Sequence, residues 1–250
     1  MAVKTILVSQ PKPKGAKSPY FDLADKYKLK IDFRSFIHVE GIGAQEFRTQ
    51  KIDLSDHSGV ILTSKNAVDH YFRIAGEMRF EVPDTMKYFC ISEAVAYYLQ
   101  KYVAYRKRKI FFGKQTIVDL LDVLKKHKKE NFLLPCTDRL RENIPTTLKD
   151  NNLNFAKAVL YRTVASDLSD LENVYYDMLV FYSPGGVESL MKNFPEFKQK
   201  TTVIAAFGPT TSKAIVDNKL RLDLHAPQPN APSMTGAIEN FVKVQKRTRK

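Results

Sequence analysis

Short apolar runs alternate with stretches of helical periodicity along almost the whole chain, and that alternation admits few folds. Residues 5–8, 60–63, 88–91, 132–134, 179–182 and 203–207 are short and rich in Val, Ile, Leu, Phe and Tyr, as buried strands are. Between them Val118, Leu121 and Leu124 follow helical spacing, as do Ala214, Ile215 and their neighbours. The expected fold class is therefore α/β, with parallel sheets covered by helices. Right-handed crossovers place the carboxyl ends of such strands along one edge, and open sheets bind ligands there.

Two segments are longer. Residues 31–39 (IDFRSFIHV) alternate apolar and polar side chains, and residues 155–165 (FAKAVLYRTVA) are extended and rich in β-formers. Both lie at a change of context and are expected to run side by side as a two-stranded β linker between two lobes. Lobe 1 would be discontinuous, residues 1–34 plus 164–250, and lobe 2 would be residues 35–163.

An internal repeat supports two similar lobes. Val60-Ile61-Leu62-Thr63-Ser64-Lys65-Asn66-Ala67-Val68-Asp69 matches Leu179-Val180-Phe181-Tyr182-Ser183-Pro184-Gly185-Gly186-Val187-Glu188. A fainter match sets Tyr88-Phe89-Cys90-Ile91-Ser92-Glu93-Ala94 against Ala205-Ala206-Phe207-Gly208-Pro209-Thr210-Thr211. A serine ending a strand is a favoured helix N-cap and leaves the first amides of the helix facing outward. Those amides and the helix dipole attract anions. Gly185 and Gly186 would let backbone approach a ligand, Gly208 would make a tight turn, and Pro209 suits the first helical position. Plain helix capping accounts for any single turn. Several at one sheet edge, in a strongly basic chain, point to an anion.

The basic balance is large: 40 Lys and Arg against 27 Asp and Glu, a formal charge of +13 over 250 residues. It favours an acidic small molecule, nucleic acid or anionic lipid. Residues 101–109, 125–129 and 243–250 concentrate it. No nucleic-acid-binding motif accompanies these runs, although Tyr102 and Tyr105 lie in the first, so a nucleic-acid module is the secondary reading. No membrane partner is expected, because no run of about 18 apolar residues occurs. The N-terminal apolar patch is too short for a signal peptide, so a cytoplasmic protein is expected. Cys90 and Cys136 end apolar runs and are expected as buried thiols. The five histidines are scattered, and no metal site is expected. Nucleotide fingerprints and a nucleophile elbow are missing.

At the repeated turns the sequence resembles the uroporphyrinogen-III synthase family. Phe181-Tyr182-Ser183-Pro184-Gly185-Gly186-Val187 is similar to its F-x-S-P-S-G turn, and Phe207-Gly208-Pro209-Thr210-Thr211 to its I-G-x-T-T-A turn. Leu62-Thr63-Ser64-Lys65-Asn66-Ala67-Val68 resembles F-T-S-x-x-A-V, Leu160-Tyr161-Arg162-Thr163 resembles V-Y-x-T, and Ala226-Pro227-Gln228-Pro229 resembles the last loop. The resemblance implies a lyase that closes hydroxymethylbilane, a linear tetrapyrrole with acetate and propionate side chains. Water is lost and the last ring is inverted. It implies a monomer, with no metal or organic cofactor. Carried over residue by residue, Tyr161 becomes the candidate proton donor, with packing at the lobe junction as its alternative. Thr63, Ser64, Asn66, Ser92, Ser183, Gly185, Gly186, Gly208, Thr210 and Thr211 become candidate substrate contacts. Arg139 and Arg141 are either cleft cations or exposed ion-pair partners. Two departures stand out. One hydroxyl of S-P-S-G is replaced by Gly185, and the family's G-x-x-T becomes Ile91-Ser92-Glu93-Ala94. The second departure keeps open a non-catalytic, polyanion-binding relative. The lobe holding Ser183 and Thr211 is accordingly expected to grip more firmly than the lobe holding Ser64 and Ser92.

Overall fold

Each apolar run is a strand in the computed structural model, which describes residues 3–15 and 17–247. The basic tail continues into residues 248–250, outside that range. In chain order the elements begin with β1 (Thr5–Val8), α1 (Pro19–Tyr27), β2 (Lys30–Phe33), β3 (Ile37–Gly41) and α2 (Ala44–Arg48). Next come β4 (Gly59–Leu62), α3 (Lys65–Glu77), β5 (Lys87–Cys90), α4 (Glu93–Leu99), β6 (Ile110–Phe112) and α5 (Leu121–Lys126). They are followed by β7 (Phe132–Thr137), α6 (Asn143–Asp150), β8 (Phe155–Ala165), β9 (Met178–Phe181) and α7 (Pro184–Asn193). The chain closes with β10 (Val203–Phe207), α8 (Pro209–Asp217), β11 (Leu224–Ala226) and α9 (Met234–Arg247).

Two compact units result. Unit 1 comprises residues 1–38 and 164–250, and unit 2 residues 39–163. The sheet of unit 1 has the order β11-β10-β9-β1-β2, and every neighbouring pair is parallel. The second sheet has the order β3-β8-β7-β4-β5-β6, with β4–β5, β4–β7, β5–β6 and β7–β8 parallel. Strands buried on both faces need continuous apolar runs, and β4 and β9 are buried at every position.

Residues 31–39 do not form one strand. They split into β2, which pairs with β1, and β3, which lies beside β8 at the edge of the other sheet. Phe36 sits in the break, 1% exposed, with its ring edge-on to Phe181 at 5.8 Å. The alternating pattern is real, but a buried aromatic anchor interrupts it where the chain leaves one sheet for the next. Sequence inspection also missed β6 and β11, each a three-residue edge strand.

Aliphatic layers fill both faces of each sheet. In unit 1, Ile6, Val8, Met178 and Val180 face α1 and α9, while Leu7, Leu179, Phe181 and Ile204 face α7 and α8. In unit 2, Val60, Leu62, Tyr88 and Cys90 pack with Val68, Tyr71 and Ile74 of α3, and Ile61, Phe89, Phe132 and Leu134 pack on the opposite face with Leu124 and Leu148.

Candidate functional site

Chain direction across each sheet reverses once, between β1 and β9 in unit 1 and between β4 and β7 in unit 2. The helices following the strands diverge to opposite faces at such a switch point, which opens a crevice at the carboxyl ends. The two serine turns stand at these points. Ser183 follows β9, Ser64 follows β4, and each is the N-cap of the next helix in extended backbone. Ser64 Oγ accepts from the Ala67 amide at 3.1 Å, and Ser183 Oγ accepts from the Gly186 amide at 3.3 Å. Such a cap contributes about 1 kcal/mol and leaves the earlier amides outward.

In unit 2 the Ser64 turn has an aromatic neighbour that arrives from far away in the chain. The hydroxyl of Tyr161, on β8, lies 3.3 Å from Ser64 Oγ. Tyr161 is 7% exposed, and burial, the leading cause, raises its pKa above the ordinary tyrosine value, with the Ser64 contact opposing. The phenol is therefore protonated near neutral pH. Its ring stacks on His70 with centroids 4.9 Å apart. Arg73 fixes that histidine by donating from Nε to His70 Nδ1 at 3.1 Å. The same guanidinium donates to the carbonyls of Ile42 and Leu160 at 2.8 and 3.1 Å, so α3 is tied to the strand carrying Tyr161. Burial first, then the charge of Arg73, lowers the His70 pKa and keeps the ring neutral. Neither His70 nor Arg73 stood out in the sequence. Their i, i+3 spacing on α3 is visible there, but their meeting with Tyr161 is not.

The remaining candidates divide. Thr63 is partly exposed and Asn66 exposed beside Ser64. Ser92 occupies the N-cap position of α4 in extended backbone, yet its side chain makes no capping hydrogen bond. Gly185 is partly exposed, and a Cβ there would meet Ile37 at an ordinary 3.5 Å. Gly186 is buried, and a Cβ on it would meet Ser9 Oγ at 3.4 Å and Phe181 at 3.5 Å. The close approach it permits is thus to the interior of unit 1 itself. Thr210 is exposed at the start of α8, whereas Thr211 is 1% exposed and packs inward. Of that threonine pair, the first side chain faces solvent. Arg139 and Arg141 are both exposed, in the segment between β7 and α6.

Gly208 is required by its backbone. It stands at φ 86° and ψ 153° as the N-cap of α8, a region that side-chain-bearing residues rarely enter. A Cβ there would meet nothing within 4 Å, so the cost of substitution is backbone strain alone. Gly208→Ala should lower stability by about 1–3 kcal/mol in urea denaturation. An unchanged midpoint would show that the turn relaxes freely.

Two of the three basic runs do not sit at this edge. Residues 101–109 lead from the end of α4 into the amino end of β6, and residues 125–129 lead from α5 towards the amino end of β7. A cavity of about 960 Å³ in unit 1, lined by Phe36, Tyr176, Leu190, Phe194 and Phe197 among others, contains none of the candidate residues. It lies towards the amino ends of β9 and β10, where Tyr176 and Thr202 stand.

The family described as Uroporphyrinogen-III synthase HemD matches residues 26–236. Over 115 residues the chain is 26% identical to the uroporphyrinogen-III synthase of Saccharomyces cerevisiae, a match covering 40% of this chain and 42% of the yeast protein. That match therefore spans less than half the length of the yeast relative. Uroporphyrinogen-III synthetase from Helicobacter pylori aligns over 96% of this chain and 99% of its own, with a TM-score of 0.59 and 16% identity. A mutant uroporphyrinogen III synthase from Thermus thermophilus aligns over 98% and 99%, with a TM-score of 0.50 and 13% identity. At these identities the structures share a fold, and the family match itself spans most of the chain. The protein belongs to the uroporphyrinogen-III synthase family.

Proposed function

We propose that the protein is a uroporphyrinogen-III synthase. It would close hydroxymethylbilane with loss of water and inversion of the last ring to give uroporphyrinogen III, in tetrapyrrole biosynthesis. The observation that carries this reading is a buried phenol, Tyr161, held against the Ser64 turn at a sheet switch point in a chain of this family. Departure of the substrate hydroxyl needs a proton, and a positioned neutral phenol supplies one. The leaving oxygen, protonated by Tyr161, departs as water.

Holding the substrate falls to the turns. Thr63, Ser64, Asn66 and Ser92 in unit 2, and Ser183, Gly185, Gly208, Thr210 and Thr211 in unit 1, are the proposed contacts, while the buried Gly186 serves the turn itself, its amide donating to Ser183 Oγ. The side chain of Asn66 and that of Thr210 are the open hydroxyl or amide positions. Thr211 acts through its backbone amide, since its side chain is buried. Acetate and propionate groups suit the starts of α3, α7 and α8, where the helix dipole is positive. Fixing a flexible chain in one geometry contributes several kcal/mol, up to about 7–11 in favourable cases. We further propose a cytoplasmic monomer; among the described residues no helix is long and apolar enough to cross a membrane.

Freshly prepared hydroxymethylbilane, incubated with the protein and followed by separation of the isomers, tests the reading. The inverted isomer should dominate. Formation of the uninverted isomer alone, at the rate seen without protein, would defeat it.

A further inference from the structure

Unit 1 carries a polar feature at its carboxyl edge that the proposed chemistry leaves unused. The hydroxyls of Tyr20, on α1, and Tyr182, just after β9, lie 2.7 Å apart. Tyr20 is 7% exposed and Tyr182 half-buried. Aromatic contacts fix both rings: Phe207 stacks on Tyr182 at 5.5 Å between centroids, and Phe33 meets Tyr20 edge-on at 5.4 Å. Tyr182 directly precedes Ser183 and Phe207 directly precedes Gly208, so the pair stands beside the turns that open α7 and α8.

Counting protons makes the pair informative. Burial, the leading cause for each, raises both phenols above the ordinary tyrosine pKa, so both stay protonated near neutral pH. Two hydroxyls in one mutual hydrogen bond use one proton there and leave the other to donate elsewhere. No second hydrogen bond from either hydroxyl occurs among the described residues. Either hydroxyl can donate to the other; with Tyr20 donating, the more exposed Tyr182 presents the surplus proton. A donor polarised by another donor is strengthened. Its best acceptor is an anionic, acceptor-only group, and the positive ends of two neighbouring helices favour the same charge.

We infer that Tyr182, supported by Tyr20, is a positioning residue that donates a hydrogen bond to one carboxylate side chain of the tetrapyrrole substrate. The inference rests on the reading of the protein as a uroporphyrinogen-III synthase. In the internal repeat Tyr182 takes the place that Thr63 holds in unit 2, so both serine turns carry a hydroxyl there and the aromatic one belongs to unit 1. It adds one contact, Tyr182, and the residue that supports it, Tyr20, to the contacts proposed above.

The test is steady-state kinetics on hydroxymethylbilane with Tyr182→Phe and Tyr20→Phe, each of which keeps its ring. Tyr182→Phe should raise KM about tenfold, the loss expected of one hydrogen bond to a charged group, with kcat changed by less than about twofold. Tyr20→Phe should raise KM about two- to threefold, because only the supporting donor is lost. A pair that merely pins α1 to the sheet would lower the melting temperature and leave KM alone; that result in both variants overturns the inference. A fall in kcat at constant KM overturns it too. Should Tyr182→Phe not accumulate folded, unchanged KM in Tyr20→Phe decides against it. Failure of the parent protein to make the inverted isomer sinks the underlying reading and the inference together. Normal parent turnover with unmoved KM in the variants sinks the inference alone.

Discussion

Tyr161→Phe is expected to lower turnover about a hundredfold, within the range attributed to a positioned general acid. The ring would remain stacked on His70, and only the oxygen near Ser64 would go. Losing one neutral hydrogen bond costs about 1 kcal/mol, which corresponds to about 2–4 °C in melting temperature for a protein of this size. The activity loss should therefore far exceed the stability loss. KM should stay close to the parent value, because the phenol acts on the departing hydroxyl and not on the carboxylates. Measured kcat equal to the parent, in a variant of normal melting temperature, would remove Tyr161 from the chemistry and leave it as a packing residue on β8. Comparison with Tyr182→Phe gives the sharper reading: one tyrosine is expected to move kcat, the other KM.

Phe89→Ala should cost about 3–5 kcal/mol of stability. Phe89 lies on β5 and is fully buried. Its ring stacks on Phe111 at 5.2 Å and meets Phe132 and His127 edge-on at 5.1 and 5.5 Å. The surroundings have little room to collapse around a void: a Cβ on Gly59 would already lie 3.0 Å from Phe132. Against a total of about 5–15 kcal/mol for a typical protein, that loss removes a large share. Urea denaturation followed by a unit 2 probe should show the midpoint moving sharply. A shift worth less than about 1 kcal/mol would mean that the aromatic cluster repacks.

Much of the fold was readable because buried parallel strands write themselves as apolar runs. The runs at residues 5–8 and 203–207 coincide with β1 and β10, and residues 155–165 with β8. Reading failed where the signal was short or double. β6 follows a run of five basic residues within residues 101–109 and has only three residues of its own. Residues 31–39 alternate only in two pieces, since Arg34-Ser35 and Phe36-Ile37 break the period of two, and the burial of Phe36 marks the break in the structure. The candidate site was legible in part. N-cap serines announce themselves locally, because cap and helix are adjacent in sequence. The Ser64–Tyr161 contact spans 97 residues and Tyr20–Tyr182 spans 162, separations that no local pattern encodes. Resemblance to a family pointed to Tyr161; nothing pointed to Tyr20. Composition was the least specific guide. A basic excess suggested an anion at the turns, whereas the basic runs at residues 101–109 and 125–129 lie towards the amino ends of β6 and β7. They can contribute to the general field that attracts an anionic substrate, with the turns supplying the local grip.

The chain leaves unit 1 at residue 38 and re-enters it at residue 164, and β1 finds its partner β9 through Ile6 opposite Met178. During synthesis, β1, α1 and β2 emerge early and must then wait for the strand that completes their sheet. At about 5–20 residues per second the delay is on the order of ten seconds. Residues 39–163 are all available before β9 appears, so unit 2 can mature while the first segment of unit 1 stays open. Throughout that interval Ile6, Leu7 and Val8, which end fully packed, line an unpaired strand edge. Non-local closure of this kind is slow and prone to association. Until β9 arrives, the early strands are thus the part of the molecule most exposed to wrong pairing.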